Sequence, residues 1–197
     1  MQSGVNVPLN AQIKLLNDIL MRDQELYNVL RTISKLNLPN SYVGGGSITQ
    51  SVWNQIFSKD LGFGISDLDI VYFDTDLSEA KENKIRNQLL SELPLKKYNI
   101  DVKNEARVQL WYQHRFGQKI NPYVSTEDAI STWPTTASSL GVYLNKQQDI
   151  EAFAPYGLND VFSGIVRPNK KMITESIYMN KAIKWKSKWP ELKVVAW

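Results

Sequence analysis

The sequence SDLDIVYF, residues 66–73, places two carboxylates one residue apart at the start of a β-branched and aromatic run. Such a run is typical of a buried strand. Successive side chains on a strand point to opposite faces, so Asp67 and Asp69 are expected side by side. Adjacent carboxylates repel unless a cation lies between them, and Mg2+ is commonly held by one or two carboxylates together with substrate phosphates. A polar strand start beside a turn is the alternative.

Three consecutive glycines, Gly44 to Gly46, lie upstream between a short apolar strand and a run with helical spacing. A strand that turns into a helix through glycines directs backbone N–H groups and the helix N-terminus toward one point, which favours an anion. Gly45 and Gly46 allow a phosphate to approach the backbone, and Ser47 adds a hydroxyl donor. The spacing fits neither a Walker A loop nor a Rossmann fingerprint, and a purely conformational role is the alternative.

A third acid, Asp101, lies in the alternating segment 98–102, which predicts another strand. Between the two acidic strands, residues 78–93 predict a helix that begins at Ser78 and ends at Pro94. The order is therefore strand, glycine turn, helix, acidic strand, helix and acidic strand. A solvent-facing strand residue is the alternative interpretation of Asp101.

Composition narrows the chemistry of any metal site. The 197 residues include no cysteine and one histidine, His114, so thiolate sites and sites built on several histidines are excluded. Oxygen ligands remain, and these favour Mg2+ or Mn2+. The net charge of +3 permits phosphate or nucleic-acid binding without arguing for it. The sequence has no apolar stretch near 18 residues and no signal-peptide pattern at its N-terminus, so we expect no membrane partner and a cytoplasmic location.

Outside the acidic strands, the pattern predicts helices at both ends of the chain. Two amphipathic helices are expected between residues 9 and 36, with Asp23 capping the second and the turn 37–40 closing them. A polar connection is expected over 114–122, and a β-hairpin over 139–153. The last helix, from residue 174, carries a basic face interleaved with tryptophans. That face is either a nucleic-acid surface or, as we favour, a solvated face above buried aromatics.

Several polar residues after Asp101 are candidates for substrate binding. Lys103, Asn104 and Arg107 carry donors that suit a triphosphate, with a solvated face as the alternative. Ser125 or Thr126 is expected to cap a short helix. The same helix either lines a substrate pocket, where Ser125 or Thr126 contacts the substrate, or uses its acids only to complement the helix dipole.

Taken together, the glycine–serine turn and the three acids resemble the active-site pattern of the polymerase-β-type nucleotidyltransferase superfamily. A more specific resemblance is to a bacterial nucleotidyltransferase-like family, formerly of unknown function, and it covers about residues 40–190. The segments that carry it are YVGGGSITQSVWN (42–54), SDLDIVYFD (66–74), VKNEAR (102–107), YVSTEDAI (123–130), WPTTA (133–137), APYGLNDVF (154–162) and VRP (166–168). At Gln109 the family often has a histidine.

This resemblance implies a polymerase-β-like α/β (α+β) core, a mixed sheet flanked by helices, with extra helices at both ends. It implies one domain over 1–197, with N-terminal helices at 1–38, a catalytic core at 40–115 and a family-specific part at 116–197. Asp67, Asp69 and Asp101 would be the catalytic and metal-binding residues, with Mg2+ (or Mn2+) as cofactor. Gly45, Gly46 and Ser47 would hold the triphosphate.

The implied reaction is transfer of a nucleoside monophosphate from a nucleoside triphosphate to an acceptor, with release of pyrophosphate. A small-molecule or protein acceptor is expected, and a nucleic-acid acceptor is less favoured because the positive charge is weak. A non-catalytic nucleotide-binding or protein-interaction module on the same fold is the alternative, with the basic C-terminal helix or the N-terminal helices as its working surface.

Overall fold

The computed structural model describes residues 3–36, 38–93 and 95–197. The helices are α1 Leu9–Leu20, α2 Gln24–Leu36, α3 Gly46–Ile56, α4 Glu79–Glu92, α5 Val108–Phe116, α6 Thr126–Ile130, α7 Asn159–Phe162 and α8 Glu175–Lys188. The strands are β1 Tyr42–Gly44, β2 Asp67–Tyr72, β3 Asn99–Asn104, β4 Gly141–Leu144, β5 Ile150–Phe153, β6 Ile165–Val166 and β7 Lys193–Val194.

A five-stranded mixed sheet in the order β3-β2-β1-β4-β5 forms the centre of the molecule. β2 and β3 are parallel, and the other neighbouring pairs are antiparallel. The register places Asp69 opposite Asp101 on one side and opposite Gly44 on the other. The predicted α/β class, with a mixed sheet flanked by helices, is confirmed, and the predicted hairpin extends the sheet as β4 and β5.

Helices α1 and α2 pack on the core through an apolar stripe, as their spacing predicts. Leu16 and Leu26 are completely buried within it. Asp23 caps α2, because its Oδ1 accepts hydrogen bonds from the N–H groups of Glu25 and Leu26, while Oδ2 accepts one from the Tyr98 hydroxyl. Asn37, in the predicted closing turn, and Pro94, the predicted helix stop, lie outside the described residues, as do the first two residues of the chain.

One local prediction is confirmed and one is wrong. Ser78 is the N-cap residue of α4, as predicted, although its side chain makes no capping bond and its backbone N–H donates to Asp76 Oδ1 at 2.9 Å. The connection predicted from residue 114 is helical as far as Phe116, where α5 ends because Gly117 adopts a left-handed φ of 79°. That conformation is the usual glycine stop of a helix.

Helix α8 is fixed to α3 by three tryptophans. The Trp53 ring lies 5.0 Å from the Trp185 ring and 5.7 Å from the Trp189 ring, both edge-on. The Trp189 indole N–H also donates to Asn54 Oδ1 at 2.8 Å. Edge-to-face aromatic pairs stabilise beyond the area they bury. Because α3 begins at the glycine turn, this packing holds α8 beside the same turn.

Candidate active site

The three predicted acids lie on neighbouring strands of one sheet. Asp67 and Asp69 occupy alternate positions of β2, and Asp101 lies across the parallel ladder from Asp69. Asp67 is exposed, and its carboxylate accepts hydrogen bonds from the Ser66 hydroxyl and, at 3.4 Å, from the Asn99 amide. The sheet therefore brings the three acids together, as their positions on strands predict.

Lys103 bridges two of these acids. Its Nζ donates to Asp101 Oδ2 at 2.6 Å and lies 3.8 Å from Asp69 Oδ1. Burial raises the pKa of Asp69, and the charges of Asp101 and Asp67 add to that effect against the opposing lysines Lys103 and Lys181. Burial acts to lower the pKa of Lys103, but the Asp101 hydrogen bond and the nearby carboxylates outweigh it and the pKa is raised. Lys103 is thus a charged counter-ion between two carboxylates.

The glycine turn approaches Asp69 closely. Gly45 has φ 69° and ψ −138°, a conformation that is essentially restricted to glycine. A Cβ at this position would lie 3.3 Å from Asp69 Oδ2 and 3.5 Å from the Trp133 ring. The hydroxyl of Ser47 donates to the Gly44 carbonyl at 3.1 Å, which closes the turn. The turn therefore places the start of α3 beside the carboxylates.

A cleft of about 220 Å³, which we call the acidic cleft, joins these features. Its wall opposite the acids is helix α8, which contributes Lys181, Lys184 and Lys188 at spacings of three and four residues, hence from one helix face. The residues that line it are Gly46, Ser47, Gln50, Gly64, Ser66, Asp67, Asp69, Asp101, Lys181, Lys184, Trp185 and Lys188. From the sequence, the basic face of α8 is predicted to be a solvated face above buried aromatics. Trp185 and Trp189 are buried, as that interpretation predicts, and the three lysines line the acidic cleft as well.

The ammonium of Lys181 occupies a special position in this cleft. It lies 4.7 Å from the centre of the Trp185 ring, within the range of a cation–π contact. Burial lowers the pKa of Lys181, with the charge of Asp69 opposing the shift. An anionic ligand would stabilise the charged form of Lys181, which burial disfavours.

A second space, which we call the aromatic cavity, adjoins the acidic cleft and has a volume of about 260 Å³. Gly46, Asp69 and Lys181 line both spaces. The other residues that line the aromatic cavity are Gly45, Val71, Lys103, Glu105, Val108, Trp111, Tyr112, Arg115, Phe116, Tyr123, Thr132, Trp133, Pro134, Ser138, Met172, Ile173 and Ile177. This cavity has no signal in the sequence, because its walls come from distant segments.

The structure does not bring Asn104 and Arg107 to either space. Asn104 is 1% exposed, and its amide donates to the carbonyls of Asp74 and Asp76, which fixes the loop after β2. The guanidinium of Arg107 pairs with Glu82 at 2.6 Å. Asn104 follows Lys103 on β3 and so points to the opposite face of the sheet. Substrate contact by these two residues is therefore corrected to a structural role.

Ser125 and Thr126 also act locally. The Ser125 hydroxyl accepts from the N–H of Asp128 at 3.1 Å, so the predicted cap is present. Thr126 is completely buried, and its hydroxyl donates to the Asn40 carbonyl at 2.6 Å. Neither lines the acidic cleft or the aromatic cavity. Their predicted substrate contact is replaced by helix capping and loop anchoring.

The donor set of the acidic cleft suits a hard divalent cation that arrives with a phosphate. Asp67 and Asp69 offer carboxylate oxygens on one face, which is the ligand type that Mg2+ and Mn2+ prefer. Among residues 3–36, 38–93 and 95–197, no three acidic or histidine side chains form a cluster able to hold a metal alone. Phosphate oxygens would complete the coordination.

Comparison with known proteins identifies the family of the chain. A family model described as nucleotidyltransferase matches residues 31–194. The chain belongs to this nucleotidyltransferase family. The chain is similar to an NMR structure described as a CCA-adding enzyme head domain, with 26% identity, a TM-score of 0.76 and coverage of 92% of this chain and 95% of the other. The resemblance and the nucleotidyltransferase fold expected from the sequence are confirmed.

Two further solved structures match this chain at lower similarity. One is described as a tRNA-processing enzyme complex, with 12% identity, and the other as a CCA-adding enzyme in complex with ATP, with 14% identity. Each has a TM-score of 0.48, and the matches cover 85% and 95% of this chain but 43% and 42% of the other chains. No curated protein matches the chain. In the part of the chain that the structure describes, no helix is both long and apolar enough to cross a bilayer.

Proposed function

We propose that this protein transfers a nucleoside monophosphate from a nucleoside triphosphate to an acceptor, with Mg2+ or Mn2+ bound during the reaction. The observation that carries the proposal is the acidic cleft. It combines three strand-borne carboxylates, a glycine–serine turn at a helix N-terminus and a lysine face within one space. Acidic oxygens suit a divalent cation, and backbone N–H groups with lysines suit the phosphates that accompany it.

The chain's own residues have distinct roles in this proposal. The turn at Gly45, Gly46 and Ser47 binds the triphosphate, and the lysines of α8 neutralise the phosphates. Asp67 and Asp69 hold the metal, which when bound neutralises the charge that develops on the phosphoryl oxygens. Asp101 accepts the proton of the acceptor hydroxyl. The oxygen of the acceptor hydroxyl forms a bond to the α-phosphorus, the α–β phosphoanhydride bond breaks, and pyrophosphate leaves with the electron pair.

Positioning and charge neutralisation supply most of the catalysis in reactions of this kind. Both are provided by groups that the sheet and α8 hold in place. We propose a small molecule or a protein as the acceptor. A nucleic-acid end is the other acceptor class, and the lysine face and the similarity to a CCA-adding enzyme head domain favour testing it. Transfer that falls steeply with salt concentration would identify that class.

The ion pairs of Lys103 favour testing a second function. Because the ammonium pairs with Asp101 and lies near Asp69, two of the three acids face a positive charge without a metal. A nucleotide-binding module that performs no chemistry would keep such an arrangement. Release of pyrophosphate distinguishes the two functions, since only the transferase produces it.

A thermal-shift panel with the four ribonucleoside triphosphates, with and without Mg2+ or Mn2+, tests the proposal. A ligand at about 100 times its Kd stabilises the folded state by about 2.7 kcal/mol. We expect such a shift for wild type and for Asp149→Asn, a control in the exposed hairpin turn, but not for Asp67→Asn. Pyrophosphate release is then measured for the triphosphate that binds. Retained turnover in Asp67→Asn, or no metal-dependent shift with any triphosphate, would overturn the proposed function.

A further inference from the structure

The aromatic cavity has a composition unlike that of the acidic cleft. Five aromatic side chains line it: Trp111, Tyr112 and Phe116 from α5, together with Tyr123 and Trp133. The Arg115 guanidinium lies 5.9 Å from the Trp111 ring and 5.5 Å from the Phe116 ring. A space with aromatic walls and a few polar groups is the usual form of a small-molecule site.

Glu105 is the polar group that such a site requires. It is 4% exposed, lines the cavity, and makes no side-chain hydrogen bond within the described part of the chain. Burial raises the pKa of Glu105 to about 8, with Lys103 opposing the shift and Asp69, Glu82 and Asp101 adding to it. Buried polar groups in native proteins are nearly always hydrogen-bonded. A ligand in the cavity would supply the missing partner.

The charges around the cavity select the class of ligand. Lys103, Arg115 and Lys181 outnumber Asp69 and Glu105, so a cationic molecule is disfavoured despite the aromatic walls. An uncharged planar ring attached to an anion suits this arrangement. The anion would lie at the end of the cavity that joins the acidic cleft, and the ring would lie among the aromatic side chains.

The connection between the two spaces gives the orientation. Gly46, Asp69 and Lys181 line both, so a ligand whose phosphates lie against the glycine turn extends directly into the aromatic cavity. Asp101, which the proposed function assigns to the acceptor, lines the acidic cleft but not the aromatic cavity. The cavity therefore belongs to the donor side of the reaction.

We propose that the aromatic cavity binds the nucleoside of the donor triphosphate, with the base stacked on its aromatic side chains and its polar edge hydrogen-bonded to the Glu105 carboxyl. This inference rests on the proposed function, and it adds the residues that choose the base. Trp111 and Trp133 are the large flat surfaces of the wall, and Glu105 is the specificity-determining residue.

The test is isothermal titration, with Mg2+ present, of the four ribonucleoside triphosphates and of inorganic tripolyphosphate. Tripolyphosphate fills only the phosphate part of the site. We expect Glu105→Ala and Trp111→Ala each to weaken the best triphosphate by about tenfold or more, while tripolyphosphate binding stays within about twofold. Leu110→Ala, which changes an exposed neighbour of Trp111 on α5, should change neither affinity.

Glu105→Gln guards against a simple loss of folding, because it preserves the shape and an acceptor oxygen. We expect it to bind nucleotides within about threefold of wild type and to change the order of preference among the four bases. In ¹⁵N-labelled protein, the indole N–H signals of Trp111 and Trp133 are assigned by their loss in Trp111→Phe and Trp133→Phe. In wild type, these two signals should shift with the nucleotide but not with tripolyphosphate.

The inference is overturned if Glu105→Ala binds every triphosphate as wild type does, or if it loses tripolyphosphate equally. No binding of any triphosphate to wild type would overturn the inference and the proposed function together. The two are otherwise separable. If the binding pattern is as expected but no pyrophosphate is released, the nucleoside site stands and the proposed reaction is refuted. If wild type turns over but Glu105→Ala binds every triphosphate normally, the reaction stands and the nucleoside site is refuted.

Discussion

Replacing Gly45 with alanine tests the turn on which the site is built. With φ 69° and ψ −138°, the position lies in a region that costs a non-glycine residue about 1–3 kcal/mol. The new Cβ would also lie 3.3 Å from Asp69 Oδ2 and 3.5 Å from the Trp133 ring. The alanine would therefore strain the backbone and intrude between a carboxylate and an indole that both line the aromatic cavity.

Gly117 provides a matched control. It also has a positive φ, 79°, but a Cβ there would meet nothing within 4 Å. Gly117→Ala should therefore show only the backbone cost, about 1 kcal/mol. We expect Gly45→Ala to lose about 2–3 kcal/mol, and each kcal/mol lowers Tm by about 2–4 °C in a chain of this size. The expected decrease in Tm is therefore about 4–12 °C for Gly45→Ala and about 2–4 °C for Gly117→Ala.

Both variants are measured by thermal and urea unfolding and by the metal-dependent shift with a triphosphate. We expect the ligand shift to vanish in Gly45→Ala and to persist in Gly117→Ala. Equal stability of the two alanine variants would refute the argument from crowding at Asp69. A normal ligand shift in Gly45→Ala would refute the assignment of the turn to the triphosphate.

Three further predictions follow from the acids, the lysines and the α2 cap. Since burial raises the pKa of Asp69, the ionisation of this carboxyl opposes folding at neutral pH. Asp69→Asn should therefore raise the free energy of unfolding of the metal-free protein at pH 7, and in urea unfolding this gain should vanish as the pH falls toward about 4. Lys184→Ala should weaken tripolyphosphate binding about fivefold and reduce its salt dependence, whereas Lys146→Ala, in the exposed hairpin turn, should not; equal loss in both would show that only net charge matters. Asp23→Ala should lower the free energy of unfolding by about 2–4 kcal/mol, since it removes the cap of α2 and the partner of the Tyr98 hydroxyl, and a change under 0.5 kcal/mol in urea unfolding would contradict that role.

The acids and the glycine turn could be predicted because their signals are local. The alternation along β2 alone places Asp67 and Asp69 on one face, and three glycines between a strand and a helix alone indicate a turn. The same alternation separates Asn104 from Lys103, and applying it would have excluded Asn104 from the site. Nearness to Asp101 in the sequence does not place a side chain in the site, because the face of the strand on which it lies decides that.

The lysine face and the aromatic cavity could not be predicted in this way. Whether a basic helix face meets solvent or acids depends on which side of the helix packs, and that is decided by contacts with α3 more than 100 residues earlier. Glu105 likewise follows a strand whose register with β2 is a tertiary property. The sequence gives the identity of these residues but not which residues lie beside them in the fold.

The tryptophan packing between α3 and α8 has a consequence for the size of the site. Trp53 lies on the helix that carries the glycine turn, and Trp185 lies on the helix that carries the lysines, so their edge contact spaces the two walls of the acidic cleft. A smaller side chain at Trp53 would let α8 settle closer to the turn, and the lysines would then reach a different phosphate. The width of a charged site thus depends on an aromatic contact whose far partner, Trp53, does not line the cleft, and ligand length can be tuned by substitutions in the core.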